Sequence, residues 1–260
     1  MSDMKKYIYV LLCLLPLSCA KTEQPAADES AVIYVTIENR SSKTQVGTNG
    51  KAAWHAGDSV AVLNRTTLQK EIFRLHSGSG LTTASFDGKK MEGELFCAYY
   101  PTSAKCDGKT FKVSLPVQTE LGVPVQAFDS MPLLGVSTDP TMITVNNLCG
   151  ILQLNVSGSG KLKSVKLESV AKAISGELLY NIEYGIAAMG ATASHLIMMN
   201  AEGTELSPFR PTPLRFILPP DEYRDLKLTL TLDSGASQSF PINETVRIDQ
   251  GTLVEKAITK

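Results

Sequence analysis

Leu226-Lys227-Leu228-Thr229-Leu230-Thr231-Leu232 alternates leucine with a polar residue at every step. A period of two puts the four leucines on one face of an extended chain and the polar residues on the other. Asp233-Ser234-Gly235 supplies turn residues, and 236–242 returns, so the run predicts a β-hairpin. The signature recurs outward along the chain. Leu152, Leu154 and Val156 alternate with Gln153, Asn155 and Ser157. Residues 32–37 (Val-Ile-Tyr-Val-Thr-Ile) are mostly β-branched, and 59–63 follows the turn pair Gly57-Asp58. A second hairpin is expected from 153–156 through Ser157-Gly158-Ser159-Gly160 into 162–167. There Leu162 is out of phase with Val165 and Leu167, which calls for a bulge or a later strand start. Helix signals are weak: 168–174 holds helix formers but stops at Ser175-Gly176. Short strands at regular spacing predict an all-β chain of sandwich type. The stretch 119–141 carries Pro124, Pro132 and Pro140 and is the best candidate junction. Two domains are therefore expected, at 31–140 and 141–260.

The N-terminus reads differently. Lys5 and Lys6 precede an apolar stretch, 7–17, interrupted only by Pro16. A membrane-spanning helix needs about 20 apolar residues, whereas this length suits the core of a signal peptide. Leu17-Ser18-Cys19-Ala20 resembles a lipobox, with Pro16 departing from the usual pattern. The expectation is a signal peptide over 1–18, cleavage between Ser18 and Cys19, and lipid on Cys19. Residues 19–30 are polar after Ala20 and read as a flexible tether.

The whole chain carries a net charge of −1, and residues 1–18 carry +1 (Asp3, Lys5, Lys6), so −2 remains after cleavage. Without clustered Lys and Arg, sequence-independent nucleic-acid binding is disfavoured. Beyond Cys13 and Cys19 the cysteines are Cys97, Cys106 and Cys149, an odd number that excludes a closed disulfide framework. Cys97 and Cys106 could pair in an oxidising compartment. Cys97 and Cys149 lie in apolar runs where free Cys serves as a small hydrophobe, and three free thiols are the favoured reading.

No catalytic constellation emerges. His55, His76 and His195 lack metal-ligand spacing, and no G-x-S-x-G elbow occurs. Gly78-Ser79-Gly80 and Gly158-Ser159-Gly160 lack the Lys-Ser/Thr and helix of a phosphate loop. Asp221-Glu222 reads as a solvated turn. The expectation is a non-enzyme with no metal and no cofactor. Trp54, the only tryptophan, reads as a lid over the first core, with sugar stacking as the alternative.

Several segments resemble the fimbrillin-like (FimA and Mfa type) surface lipoproteins of Bacteroides-type bacteria. Trp54-His55-Ala56-Gly57-Asp58 is similar to their Trp-x-x-Gly-Asp element. Phe96-Cys97-Ala98-Tyr99-Tyr100-Pro101 and Leu115-Pro116-Val117-Gln118 resemble an aromatic strand ending in Tyr-Pro and a Leu-Pro-x-Gln step. Asn147-Leu148-Cys149-Gly150-Ile151-Leu152 resembles the opening of their second domain. Pro219-Pro220 with Tyr223, then Val246-Arg247-Ile248-Asp249-Gln250-Gly251, resemble their closing elements. The resemblance implies two transthyretin-like β-sandwiches in tandem after a lipoprotein signal peptide. It implies an outer-membrane lipoprotein, exposed at the cell surface, acting in adhesion or pilus assembly. It also implies partners: other pilin subunits, or a second copy, joined by strand exchange. In that family a subunit is cut after an Arg beyond its first strand, and an incoming strand fills the groove. Arg40, in the polar stretch 39–50, is the matching candidate, with Arg65 as an alternative. The competing function is a carbohydrate-binding surface lipoprotein of a glycan-uptake system, which requires an exposed aromatic platform.

Overall fold

The computed structural model describes residues 29–38, 53–121 and 131–259. The expected signal peptide, Ser18, Cys19 and Arg40 lie outside the described residues. The first half contributes β1 (Ser30–Glu38), β2 (Ser59–Asn64), β3 (Lys70–Ser77), β4 (Thr83–Lys89), β5 (Phe96–Tyr100), β6 (Lys105–Cys106), β7 (Thr110–Leu115), β8 (Gln118–Glu120), β9 (Leu133–Ser137) and β10 (Met142–Asn147). The second contributes β11 (Gly150–Ser157), β12 (Gly160–Ser169), β13 (Gly176–Asn181), β14 (Ile186–Met189), β15 (Leu196–Leu206) and β16 (Thr212–Leu218). It ends with β17 (Asp221–Tyr223), β18 (Leu226–Leu232), β19 (Ser237–Ile242), β20 (Val246–Ile248) and β21 (Leu253–Thr259). No helix occurs among the described residues, which are all-β.

The first sheet closes on itself in the order β1-β10-β9-β5-β2-β3-β4. An open two-sheet sandwich is what the sequence predicts here. The difference comes from β1, which pairs antiparallel with β4 and parallel with β10. A strand with two partners leaves no free edge. Ile33, Val35 and Ile37 of β1 point inward with Val60, Val62, Phe86, Ile143 and Val145, all buried. Tyr99 is buried and Tyr100 only partly so, as opposite faces of one strand require. Tyr99 packs edge-on against Phe111 of β7, with ring centroids 5.5 Å apart.

The second core is a sandwich of two sheets, β16-β11-β21 and β19-β18-β12-β15-β8. Leu152, Leu154, Val156, Leu214 and Phe216 from the smaller sheet pack with Leu162, Val165, Leu167, Leu228 and Leu230 from the larger. The leucines of β18 face inward as their period requires, although Leu232 at the hairpin end is only partly buried. β18 and β19 form the expected hairpin. The phase conflict at Leu162 is a bulge: the register of β12 shifts between Leu162 and Ser164 against both neighbours. The hairpin expected between β11 and β12 is not formed. β11 pairs with β16 and β21, while β12 pairs with β15 and β18, so 157–160 carries the chain from one sheet to the other.

The halves interlock. β10, which the expected boundary at 140/141 assigns to the second domain, pairs in the barrel. β7 pairs with β13, and β8 with β15, so strands from before that boundary complete sheets from after it. The four-stranded sheet β14-β13-β7-β6 sends Phe111, Val113, Leu115 and Leu178 into the same core as the barrel. That cover is why β2 and β5 are buried along nearly their whole length.

Gly135 sits where β9 and β10 approach closely. A Cβ there would stand 1.9 Å from the Thr144 carbonyl oxygen of β10. Gly135→Ala is expected to destabilise the protein by about 1–3 kcal/mol, the ordinary range for overpacking. A lower midpoint in urea unfolding would register this; an unchanged midpoint would mean that β9 and β10 can separate freely.

Candidate functional site

The site is the slot that β1 occupies. Ile33, Val35 and Ile37 are 2%, 0% and 4% exposed, so β1 is a core strand although it lies first in the described chain. Its opposite face looks outward: Val32 and Tyr34 are exposed, beside exposed Met142 across the parallel pair. Burying each inward side chain contributes about 1.5–3 kcal/mol. Both edges of β1 are also hydrogen-bonded, along Ser30–Thr36 to β4 and Tyr34–Glu38 to β10.

Trp54 holds this strand from the side. Its indole Nε1 donates to the Val35 carbonyl oxygen at 3.0 Å, and it is 2% exposed. Its ring meets Phe86 edge-on at 5.0 Å and Tyr100 at 6.3 Å. The local fold that delivers Trp54 is the turn read from sequence. Gly57 has φ of +94°, and Asp58 Oδ2 accepts the His55 backbone N–H at 2.7 Å. Trp54 therefore covers the core and offers no exposed ring face for a sugar.

Arg65 is pinned in the turn after β2, where its Nε donates to the Gly108 carbonyl oxygen at 2.6 Å. A cut there would leave both β1 and β2 on the N-terminal side, whereas a cut at 40 would leave only β1. Among the described residues β21 is paired with β11 alone, in parallel, and forms the edge of its sheet.

Several charged groups elsewhere are held by local partners. Glu168, beside a concavity also lined by His195, Arg224 and Asp225, contacts Lys166 and Lys227, each at 3.1 Å. Partial burial pushes its carboxyl up, but hydrogen bonds from the two lysines outweigh that and hold it below the usual carboxylate range. Asp225 accepts the Ser169 hydroxyl and the Ala171 backbone N–H. Asp221 is bridged by Lys172. Tyr223 is buried, with its hydroxyl donating to the Pro219 carbonyl at 2.8 Å. Among the described residues no group of three or more His, Cys, Asp or Glu could hold a metal ion. Cys149 is fully buried, which pushes its thiol up. Cys97 and Cys106 are free thiols that stand side by side, a proximity the sequence leaves open.

No family model matches the chain, and no curated protein matches it by sequence. Its fold is similar to a Bacteroides ovatus protein provisionally named for cell adhesion. That match has a TM-score of 0.59 and 16% identity, over 90% of this chain and 92% of the other. A Bacteroides uniformis protein with the same provisional name matches at TM-score 0.54 and 17% identity, over 91% and 95%. A fimbrial protein of Bacteroides vulgatus aligns at TM-score 0.42 and 10% identity over 88% and 95%, too distant to support an argument. The first two share this fold over nearly the full length of both chains.

Trp54 gives the slot a built-in reporter. Its emission is expected to be blue-shifted in the native protein and unaffected by oligosaccharides. Quenching by a glycan would revive the sugar-stacking alternative. Trp54→Phe removes one buried hydrogen bond and part of the ring volume. A loss of about 2–4 kcal/mol is expected in chemical unfolding; a loss below about 0.5 kcal/mol, within the range of neutral surface changes, would mean that Trp54 does not secure β1.

Proposed function

We propose that this chain is a lipid-anchored protein of the outer cell surface that works in adhesion or pilus assembly, and that β1 is the strand displaced when a strand of another subunit enters its slot. On this reading Cys19 carries the lipid after cleavage beyond Ser18. The two cores are read as two transthyretin-like units in tandem, the first departing from an open sandwich because β1 joins its strands into a barrel. The observation that carries the proposal is the double pairing of β1, whose loss would open a groove lined by the partners of Ile33, Val35 and Ile37. Such a groove is satisfied by an incoming strand through main-chain hydrogen bonds and alternate side chains. Arg40 follows the end of β1 by two residues, so a cut there would separate β1 from everything after it. The lipobox-like segment and the fold shared with proteins provisionally named for cell adhesion support the location and the role.

The identity of the donor can be narrowed. The slot has three consecutive inward positions, at Ile33, Val35 and Ile37. β21 reads Leu253-Val254-Glu255-Lys256-Ala257-Ile258-Thr259. One face offers Val254, Lys256 and Ile258; the other offers Leu253, Glu255, Ala257 and Thr259. Every set of three alternate positions includes Glu255 or Lys256. An unpaired charge in the barrel interior costs several kcal/mol. Lys256 is already paired with Glu244 at 2.7 Å where it stands. Once β1 is severed it can no longer link subunits, so a second copy is a poor donor through either terminal strand. The favoured partner is a different subunit with three alternating apolar residues in a terminal strand.

Unboiled SDS extracts of the producing cells, blotted beside a boiled control, test this reading. A ladder that collapses on boiling is expected, and Arg40→Ala should abolish it. The purified chain, cut after Arg40 and kept alone, should remain monomeric. One monomer band in every lane would overturn strand exchange, and a ladder from the purified chain alone would overturn the assignment of a different donor.

A further inference from the structure

We propose that Cys97 and Cys106 form an oxidisable pair that closes to a disulfide by exchange with a disulfide-bearing oxidant. The pair does not depend on the strand-exchange reading. Cys97 lies in β5 of the barrel, opposite Leu63 of β2 and Val136 of β9, and is 0% exposed. Cys106 lies in β6 at the edge of the four-stranded sheet, opposite Phe111, and is only partly buried. The residues between them turn back on themselves, with the Ala104 N–H donating to the Pro101 carbonyl oxygen. The two Sγ atoms are thereby brought to 3.9 Å. A disulfide needs about 2.05 Å between sulfurs. β6 is two residues long and has a neighbour on one side only, so it can yield to close that gap.

The two thiols have different roles. Cys106 is the one that an outside reagent can reach. Its thiol is pulled down to about 7, chiefly by the hydrogen bond it shares with Cys97; burial opposes this and the Gly108 backbone N–H adds to it. The Asp107 carboxylate also raises it, while the Arg65 guanidinium lowers it. Asp107 is itself held by the backbone N–H groups of Thr110 and Lys109. Cys97 is pushed up by that same hydrogen bond and by burial, so it stays protonated. The thiolate is the nucleophile in exchange. Cys106 Sγ⁻ attacks one sulfur of R–S–S–R, releasing R–S⁻ and forming Cys106–S–S–R. Cys97 Sγ then attacks Cys106 Sγ and expels the second R–S⁻, and the Cys97 proton passes to a released thiolate. Two cysteines lose two electrons, and the oxidant becomes one thiol and one thiolate, the latter taking from solvent the proton that Cys106 gave up on ionising. The bond would tie the barrel to the sheet that covers it.

The test uses the full chain, reduced and then exposed to oxidised glutathione, quenched in acid, alkylated and analysed by peptide mass. The expected product is a cross-link between the peptides carrying Cys97 and Cys106, with Cys149 alkylated only after unfolding. In Cys97→Ser the resolving thiol is gone, and the glutathione adduct on Cys106 should accumulate on the order of tenfold above wild type. Cys97→Ala serves if the serine variant fails to fold. Without oxidant, iodoacetamide labelling of Cys106 should rise through pH about 7. A stable glutathione adduct on wild-type Cys106 would mean that the sulfurs cannot close. An unreactive Cys106 would mean that both residues are mere packing. Either result overturns the proposal.

Discussion

The first core depends on one strand having two partners. β1 hydrogen-bonds to β4 on one side and β10 on the other, and without it the barrel becomes an open sheet with two raw edges. Unpaired strand edges are templates for further pairing. The sheet therefore has two ways to be satisfied: its own β1, or a strand from elsewhere. The slot is also indifferent to direction. Because β1 is parallel to β10 and antiparallel to β4, a strand entering in reverse would still have one parallel and one antiparallel neighbour. Its selectivity lies in the side chains at the three inward positions; the Trp54 indole, which donates to the Val35 backbone carbonyl, would accept any residue there.

The rest of the molecule keeps that slot in shape. β2 and β5 are buried on both faces because β7 and β13 lie over them, and β13 comes from the other half of the chain. The union of Tyr99 with Phe111 belongs to this seam, as does the cysteine pair. Removing β1 need not collapse the barrel wall, because the wall is also supported by the side chains of β7 and β13. The second core is independent of the slot in composition: its buried residues run from Leu152 to Ile248 and include none from the barrel strands.

Much of the fold was legible in the sequence, and the illegible part has a common cause. The period of β18, the bulge at Leu162 and the turn at Gly57-Asp58 are local properties, and each could be read from a few adjacent residues. Partnership is not local. Alternation says which face of a strand is buried but not which strand lies beside it. Hence β11 and β12 read as a hairpin although they lie in different sheets, and β10 read as part of the second domain although it completes the first barrel. The parallel pairings β1/β10, β8/β15 and β11/β21 all join segments remote in sequence, with no turn signal between them. The site divides the same way. That Trp54 covers a core follows from its size, but that it grips β1 through Val35 does not. Cys97 and Cys106 could be counted, yet only the fold brings their sulfurs together.

The proposed exchange separates two events that are easily merged. Cutting the chain beyond β1 breaks one peptide bond and none of the contacts that hold the strand. The three inward side chains together contribute about 5–9 kcal/mol at about 1.5–3 kcal/mol each. That is comparable to the whole stability of an ordinary domain, about 5–15 kcal/mol. A severed β1 would therefore remain in place, and the cut subunit would stay folded and unable to aggregate through bare edges. Release becomes favourable only when an entering strand replaces the same contacts. Its hydrogen bonds can form in sequence as those of β1 are lost, so the barrel need never be wholly open. On this account the cut makes exchange possible, and the fit of the donor decides whether it happens. Polar or charged residues at the inward positions, as in β21, would be rejected at that step.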